Sequence, residues 1–220
     1  MSTKKQMAVG TALIAAFFIL MVGVMRDAQW VQVLDGSSAH LLRYSGALNT
    51  AIYMAAAKLG SPLIAIGLSL GLSLGLVLLR QPGLASWLLG MQLGGAAVAE
   101  GIKFIVQRAR PTGQLVADTG YSFPSGHTFC TTMLVMSVIY VTLPLIEDQE
   151  NQLVLVLIGI VWVGLVAAAR VYLRDHFGTD VVASVLLAGG LWNVLAPLRN
   201  PVVSRIDATV QRIWVREGKA

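Results

Sequence analysis

Residues 153–170 read LVLVLIGIVWVGLVAAAR, apolar without a break until the stretch stops on Arg170, and residues 171–180, VYLRDHFGTD, crowd polar groups directly behind it. A hydrocarbon core about 30 Å thick needs about 20 predominantly apolar residues per spanning helix, at about 1.5 Å of rise each. Span 153–169 approaches that length with no charge inside it. The whole chain has the same character. Of its 220 residues 56% are AVILMFWYC and 12% are charged, and the mean hydropathy is +0.72. A soluble domain carries about 25% charged residues, and a core of this size could not hide so much apolar surface from water. The solvent this sequence asks for is a bilayer. The net charge of +5 comes from cations scattered singly between apolar runs, which suits anionic headgroups and phosphates better than nucleic acid. One cysteine excludes an intramolecular disulfide framework.

Working outward, five further spans are expected, at 7–25, 62–79, 84–106, 128–146 and 181–198. The first follows Lys4 and Lys5 and reads as an uncleaved signal anchor, being too long for a signal-peptide apolar region. The second starts behind Ser61, a helix cap with proline at the first helical position, and stops at Arg80-Gln81-Pro82-Gly83. Stretch 26–60 is broken by Arg43, Ser45, Asn49, Thr50 and Lys58 and reads as short amphipathic helices at the membrane surface, placed to form a lid or lateral gate. In the tail, Ile206, Val210, Ile213 and Trp214 share one helical face, as in an interfacial helix. The expectation is one all-α domain over 1–220, a bundle of six transmembrane helices with short surface helices between the first two spans and an amphipathic C-terminal helix. Six spans put both termini on one face. Lys4, Lys5, Arg80 and the basic tail make that face cytoplasmic once Lys103, Arg110 and Arg170 are set aside for chemistry. Gly67, Gly71 and Gly75 form a close-packing ladder, read first as a contact inside the chain and second as a homodimer face.

Polar residues gather where spans end. Lys103 to Pro111 follows the third span, Phe123 to His127 precedes the fourth, and Arg170 to Asp180 joins the fifth to the sixth. All three lie on the membrane face opposite the termini, and the interval from His127 to Arg170 is about two bilayer crossings long. Ionisable groups at such depth point to function. Lys103, Arg110 and Arg170 are cations able to converge on one small anion, with directed hydrogen bonds to phosphate oxygens. With Pro124 in the first turn of the fourth helix, the amides of Ser125, Gly126 and His127 point at the same anion. On a helix His176 and Asp180 share a face, where the carboxylate orients the imidazole and raises its basicity. His127 can protonate a leaving oxygen. Such a set suits phosphoryl transfer without a metal or cofactor, with electrostatic stabilisation as the main contribution.

Each residue also has a plainer reading. Alone, His176 with Asp180 is equally a structural helix pair, and Lys103 or Arg110 alone is a snorkelling anchor. Glu100 is placed to pair with Lys103 or Arg174, or simply to pack. Arg108, Arg174 and Asp175 read as a solvated rim. His40 reads as a surface residue, since no zinc-ligand spacing joins it to the other histidines, and Cys130 as core.

The three clusters resemble the three signature motifs of the type 2 phosphatidic acid phosphatase (PAP2) superfamily. K-x6-R-P corresponds to Lys103, Arg110 and Pro111, P-S-G-H to Pro124–His127, and S-R-x5-H-x3-D to Arg170, His176 and Asp180, with Ala169 where the family usually has serine. The six-span plan is similar to the integral-membrane branch. The resemblance implies a phosphohistidine at His176, leaving-group protonation by His127, and phosphate held by Lys103, Arg110, Arg170, Ser125 and Gly126. It also implies a site near the outer surface of a bacterial inner membrane. Among the family's lipid phosphates, undecaprenyl pyrophosphate and phosphatidylglycerophosphate are expected first, ahead of phosphatidic acid. The rival readings are a lipid phosphotransferase of the same fold and a non-catalytic lipid-phosphate-binding protein.

Overall fold

The computed structural model describes residues 2–217, with side chains through 210. Helices α1 (Thr3–Met25), α2 (Gln29–Leu41), α3 (Ala47–Leu59), α4 (Pro62–Leu78) and α5 (Pro82–Val106) precede a long loop. Then follow α6 (Gly126–Thr142), α7 (Gln149–Tyr172), α8 (Gly178–Leu195) and α9 (Arg199–Glu217), and no strand occurs among the described residues. Local signals start the helices. Ser61 caps α4 with Pro62 at its first position, as expected, and the Asp148 carboxylate accepts from the Glu150 amide, 3.1 Å away, at the start of α7. Ser125 caps α6, accepting from the Thr128 amide. The C-terminal end of α5 is set by Gln107, whose left-handed φ of 50° turns the chain into the loop carrying Arg108 and Arg110.

In lipid, helices associate through close packing rather than a hydrophobic drive, and small residues allow the approach. Helix α1 lies along α8 in this way. A methyl group at Gly10 would sit 2.8 Å from the Val194 amide nitrogen, and one at Gly190 would sit 2.6 Å from the Ile14 Cδ1. Phe17 of α1 reaches inward to stack on Phe123 at 5.9 Å between ring centroids, within a core shared with Phe129, Met133 and Leu187. Gly10→Val is therefore expected to destabilise the fold by roughly 1–3 kcal/mol through overpacking, read as a lower thermal midpoint in detergent. An unchanged midpoint would mean that α1 is not seated on α8. The outer surface is apolar, with Leu63, Leu78, Ile158 and Val161 among its exposed side chains.

Five segments are long and apolar enough to cross a membrane: Thr3–Met25, Pro82–Val106, Gly126–Leu145, Gln149–Tyr172 and Gly178–Val210. The sequence suggested 62–79 as a span by itself. Helix α4 has 17 residues and meets the length requirement only together with α3, across a 45° bend at the Gly60-Ser61 break. Stretch 26–60 does form short helices, but they are docked on the bundle. Ala56 and Ala57 of α3 pack on Ala169, Tyr172 and Leu173 of α7, and the Tyr172 hydroxyl meets the Thr50 hydroxyl at 3.0 Å and the Ser45 amide at 3.2 Å.

One expectation is corrected. The glycine ladder does not pack inside the chain: methyl groups at Gly67, Gly71 or Gly75 would meet nothing within 4 Å. Helix α4 buries Ala65, Ser69, Ser73 and Leu76 instead, a stripe two positions out of phase and hence on the opposite face. The tail is a helix, as expected, and it docks on α5, where Asp207 accepts from the Gly83 amide at 2.7 Å. The apolar face proposed over Ile213 and Trp214 lies outside the described side chains.

Candidate active site

Each cluster hangs on a helix end. The last turn of α5 carries Lys103, the loop behind it Arg108 and Arg110, the first turn of α6 Gly126 and His127, the last turn of α7 Arg170, and the start of α8 Asp180. These ends converge. Arg110 Nη1 lies 3.4 Å from His176 Nε2 and donates to the Asp175 carbonyl at 2.9 Å. His176 Nδ1 faces Asp180 Oδ2 at 3.5 Å, with both side chains buried. Ser184 ties the start of α6 to α8, donating to the carbonyls of Ser125 and Asp180 at 2.9 and 2.8 Å. Lys103 Nζ pairs with Glu100 at 3.0 Å and lies 3.6 Å from where a methyl on Gly126 would be. The lysine and the N-terminus of α6 thus face one space.

The amide arrangement differs from expectation at one position. Pro124 follows a cis peptide bond and precedes the helix, and the Ser125 amide donates to the Asp180 carbonyl at 3.3 Å. The amides of Gly126 and His127 are then the first-turn donors for an anion. Ser125 Oγ accepts from the Thr128 amide and hydroxyl, which leaves its own proton to donate.

The arginines already hold an anion, one the sequence reading missed. Asp118 Oδ2, in the loop between the first two clusters, lies 2.6 Å from Arg170 Nη2 and 3.1 Å from Arg110 Nη1. Arg170 Nη1 reaches Asp175 Oδ2 at 3.1 Å. Asp175 is fully buried and Arg108 pairs with Asp35 and Asp180, so neither belongs to a rim; Arg174 is exposed, as read. The error is physical in origin. Both lie in irregular backbone, where no periodicity says which way a side chain faces.

Electrostatics follows from burial and neighbours. Burial lowers the His176 pKa, and although Asp180 pulls the other way the net shift is downward; the imidazole is neutral at neutral pH. Burial alone would raise Asp118, but Arg110 and Arg170 outweigh it and keep the carboxylate ionised. Asp175 is raised by burial, with Arg170 opposing. His176 opens on a cavity of about 640 Å³ that includes Asp35, Arg108 and Arg110. His127 opens on another of about 420 Å³ with Arg170, Asp118 and, from α3, Met54 and Lys58. The Arg110–Asp118–Arg170 knot joins the two. No group of three or more His, Cys, Asp or Glu suited to a metal ion occurs among the described residues.

The family model of the PAP2 superfamily matches residues 83–202. Phosphatidylglycerophosphatase B of Haemophilus influenzae is 40% identical over 73 residues, 32% of this chain and 30% of that protein. Phosphatidylglycerophosphatase B of Bacillus subtilis is 33% identical over 90 residues, 39% of this chain and 43% of that protein. The matches thus span less than half the length of these curated relatives. The crystal structure of a transmembrane PAP2-type phosphatidylglycerolphosphate phosphatase from Bacillus subtilis superposes with a TM-score of 0.78 at 21% identity, over 88% of this chain and 96% of that one. The two share a fold.

Proposed function

Since the chain belongs to the PAP2 superfamily, we propose that it is a membrane lipid-phosphate phosphatase working through a phosphohistidine at His176, without a metal or cofactor. The observation that carries the reading is the buried His176–Asp180 pair with Arg110 Nη1 3.4 Å from the other ring nitrogen, Nε2. The Nε2 lone pair attacks phosphorus, the bond from phosphorus to the lipid oxygen breaks, and His127 gives that oxygen its proton. Water then attacks the phosphohistidine, surrendering a proton to His127, and inorganic phosphate leaves. Lys103, Arg110, Arg170, Ser125 and the Gly126 amide balance the charge on the transferring group. The substrate is a lipid phosphomonoester or pyrophosphate: phosphatidylglycerophosphate, as the names of the two curated relatives support, undecaprenyl pyrophosphate or phosphatidic acid. Helices α2 and α3 border the two cavities and gate lipid entry. The site faces the outer side of a bacterial inner membrane, with both termini cytoplasmic.

The test is phosphate release from a panel of these lipids in detergent. Turnover that persists in EDTA and is inhibited by vanadate is expected, and no release from any lipid would overturn the reading. Radiolabel passed to a second lipid instead of water would make the protein a transferase.

Two further results are expected. Asp118 holds the position of a phosphate oxygen, so substrate and product must displace it. Asp118→Asn, which keeps the shape and removes the charge, is expected to lower the inhibition constant for inorganic phosphate by about 2–5-fold, the scale of a partly exposed ion pair. An unchanged constant would show that the aspartate does not compete. His176 acts in its neutral form, and its depressed pKa places the acid limb of kcat/KM below the ordinary histidine value of about 6.5. A limb above pH 7 would contradict the burial.

A further inference from the structure

Asp180 faces His176 with one oxygen and a second arrangement with the other. Arg108 Nη1 donates to Asp180 Oδ1 at 2.6 Å and to Thr179 Oγ1 at 2.8 Å, while its Nη2 donates to Asp35 Oδ2 at 2.5 Å. Asp35 Oδ1 accepts from the Thr179 amide at 2.9 Å. The guanidinium lies 3.9 Å from the centroid of the Phe177 ring, and the Phe177 amide donates to Asp180 Oδ2 at 2.9 Å. Asp35 belongs to α2, outside both the three motifs and the matched residues 83–202, yet it is 7% exposed.

We propose that Asp35 is a positioning residue of this active site, acting through Arg108 on Asp180 and thereby on His176. Paired with Arg108 alone, Asp180 would form a neutral couple with little charge left for the imidazole. Asp35 shares the guanidinium, so the trio carries one net negative charge, and that charge is directed at His176 Nδ1. The planar fork also fixes the carboxylate plane, since two of its arms are anchored on different helices. Other charged groups face His176 too: Arg170 from α7, Arg110 from the loop after α5, and beyond them Asp118 and His127 of α6. The substitutions below leave all of these in place.

The kinetic arm of the test rests on the phosphatase reading; the spectroscopic arm does not. The full-length protein in detergent is titrated by NMR through the His176 ring C–H, assigned by its loss in His176→Ala, and kcat/KM is followed against pH. Asp35→Asn removes a negative charge and moves the His176 midpoint down; Arg108→Gln removes a positive charge and moves it up. Each shift is expected to be about half a pH unit or more. In Asp35→Asn kcat falls about tenfold with KM within about threefold, since the lost interaction matters in the transition state. Asp35→Glu and Arg108→Lys keep the charges and retain the wild-type midpoint, and gel filtration identifies any variant that does not fold. Should Asp35→Asn fail to fold, Arg108→Gln still reads the proposal. Shifts in the same direction, or none, would leave Asp35 a structural clamp between α2 and α8 and overturn the proposal. Wild type without turnover would instead count against the phosphatase reading.

Discussion

His176→Ala is expected to lower kcat for phosphate release by roughly 10⁴-fold or more, on the scale seen when the nucleophile of a covalent mechanism is deleted. The ring is buried against Asp180, with Arg110 beside Nε2. The alanine protein is expected to fold, because the helices that bring the site together are held by packing far from this ring, as in the α1–α8 contact. It should still bind inorganic phosphate through Lys103, Arg110 and Arg170. Phosphate release close to wild type would remove His176 from the nucleophile's role.

Asp180→Asn is the second large effect. The carboxylate accepts from the Phe177 amide and from Arg108 and faces His176 Nδ1, which selects the tautomer with its lone pair on Nε2. An amide at this position has one acceptor instead of two and no charge, so the ring is free to take the wrong tautomer and the developing positive charge on it goes uncompensated. In a histidine–aspartate pair of this kind the cost is about 10⁴-fold in kcat. The expected signature is a low kcat with KM little changed, measured as phosphate release from the best lipid of the panel. A KM effect alone would make Asp180 a structural cap of α8 and nothing more.

Much of this architecture was legible in the residues. Apolar runs such as 153–169 and 7–25 announced helices in lipid, and the placing of polar clusters at span ends announced that α5, α6, α7 and α8 would turn their ends toward one another. What was illegible lay mostly in backbone without a period. Asp118 sits in a loop where a carboxylate looks like any solvated turn residue, and only the folded chain sets it between two arginines. Arg108 differs from Arg110 by two positions, and the left-handed turn at Gln107 decides where each points. Asp35 offered a signal that went unused, as the one ionised side chain of the otherwise mostly apolar stretch 30–39; a buried acid there wants a cation. The bend between α3 and α4 was missed because a hydropathy window treats each helix separately, although Gly60 and Pro62 mark the break.

The central claim is that Lys103 and Arg110, the start of α6, and Arg170 with His176 jointly hold one tetrahedral oxyanion. A crystal structure of the protein with vanadate tests it most directly. The account predicts vanadium within bonding distance of His176 Nε2, its oxygens contacted by Lys103, Arg110 and Arg170, and the Asp118 carboxylate moved aside. Vanadate bound elsewhere, or Asp118 still bridging the arginines with the anion bound, would contradict it.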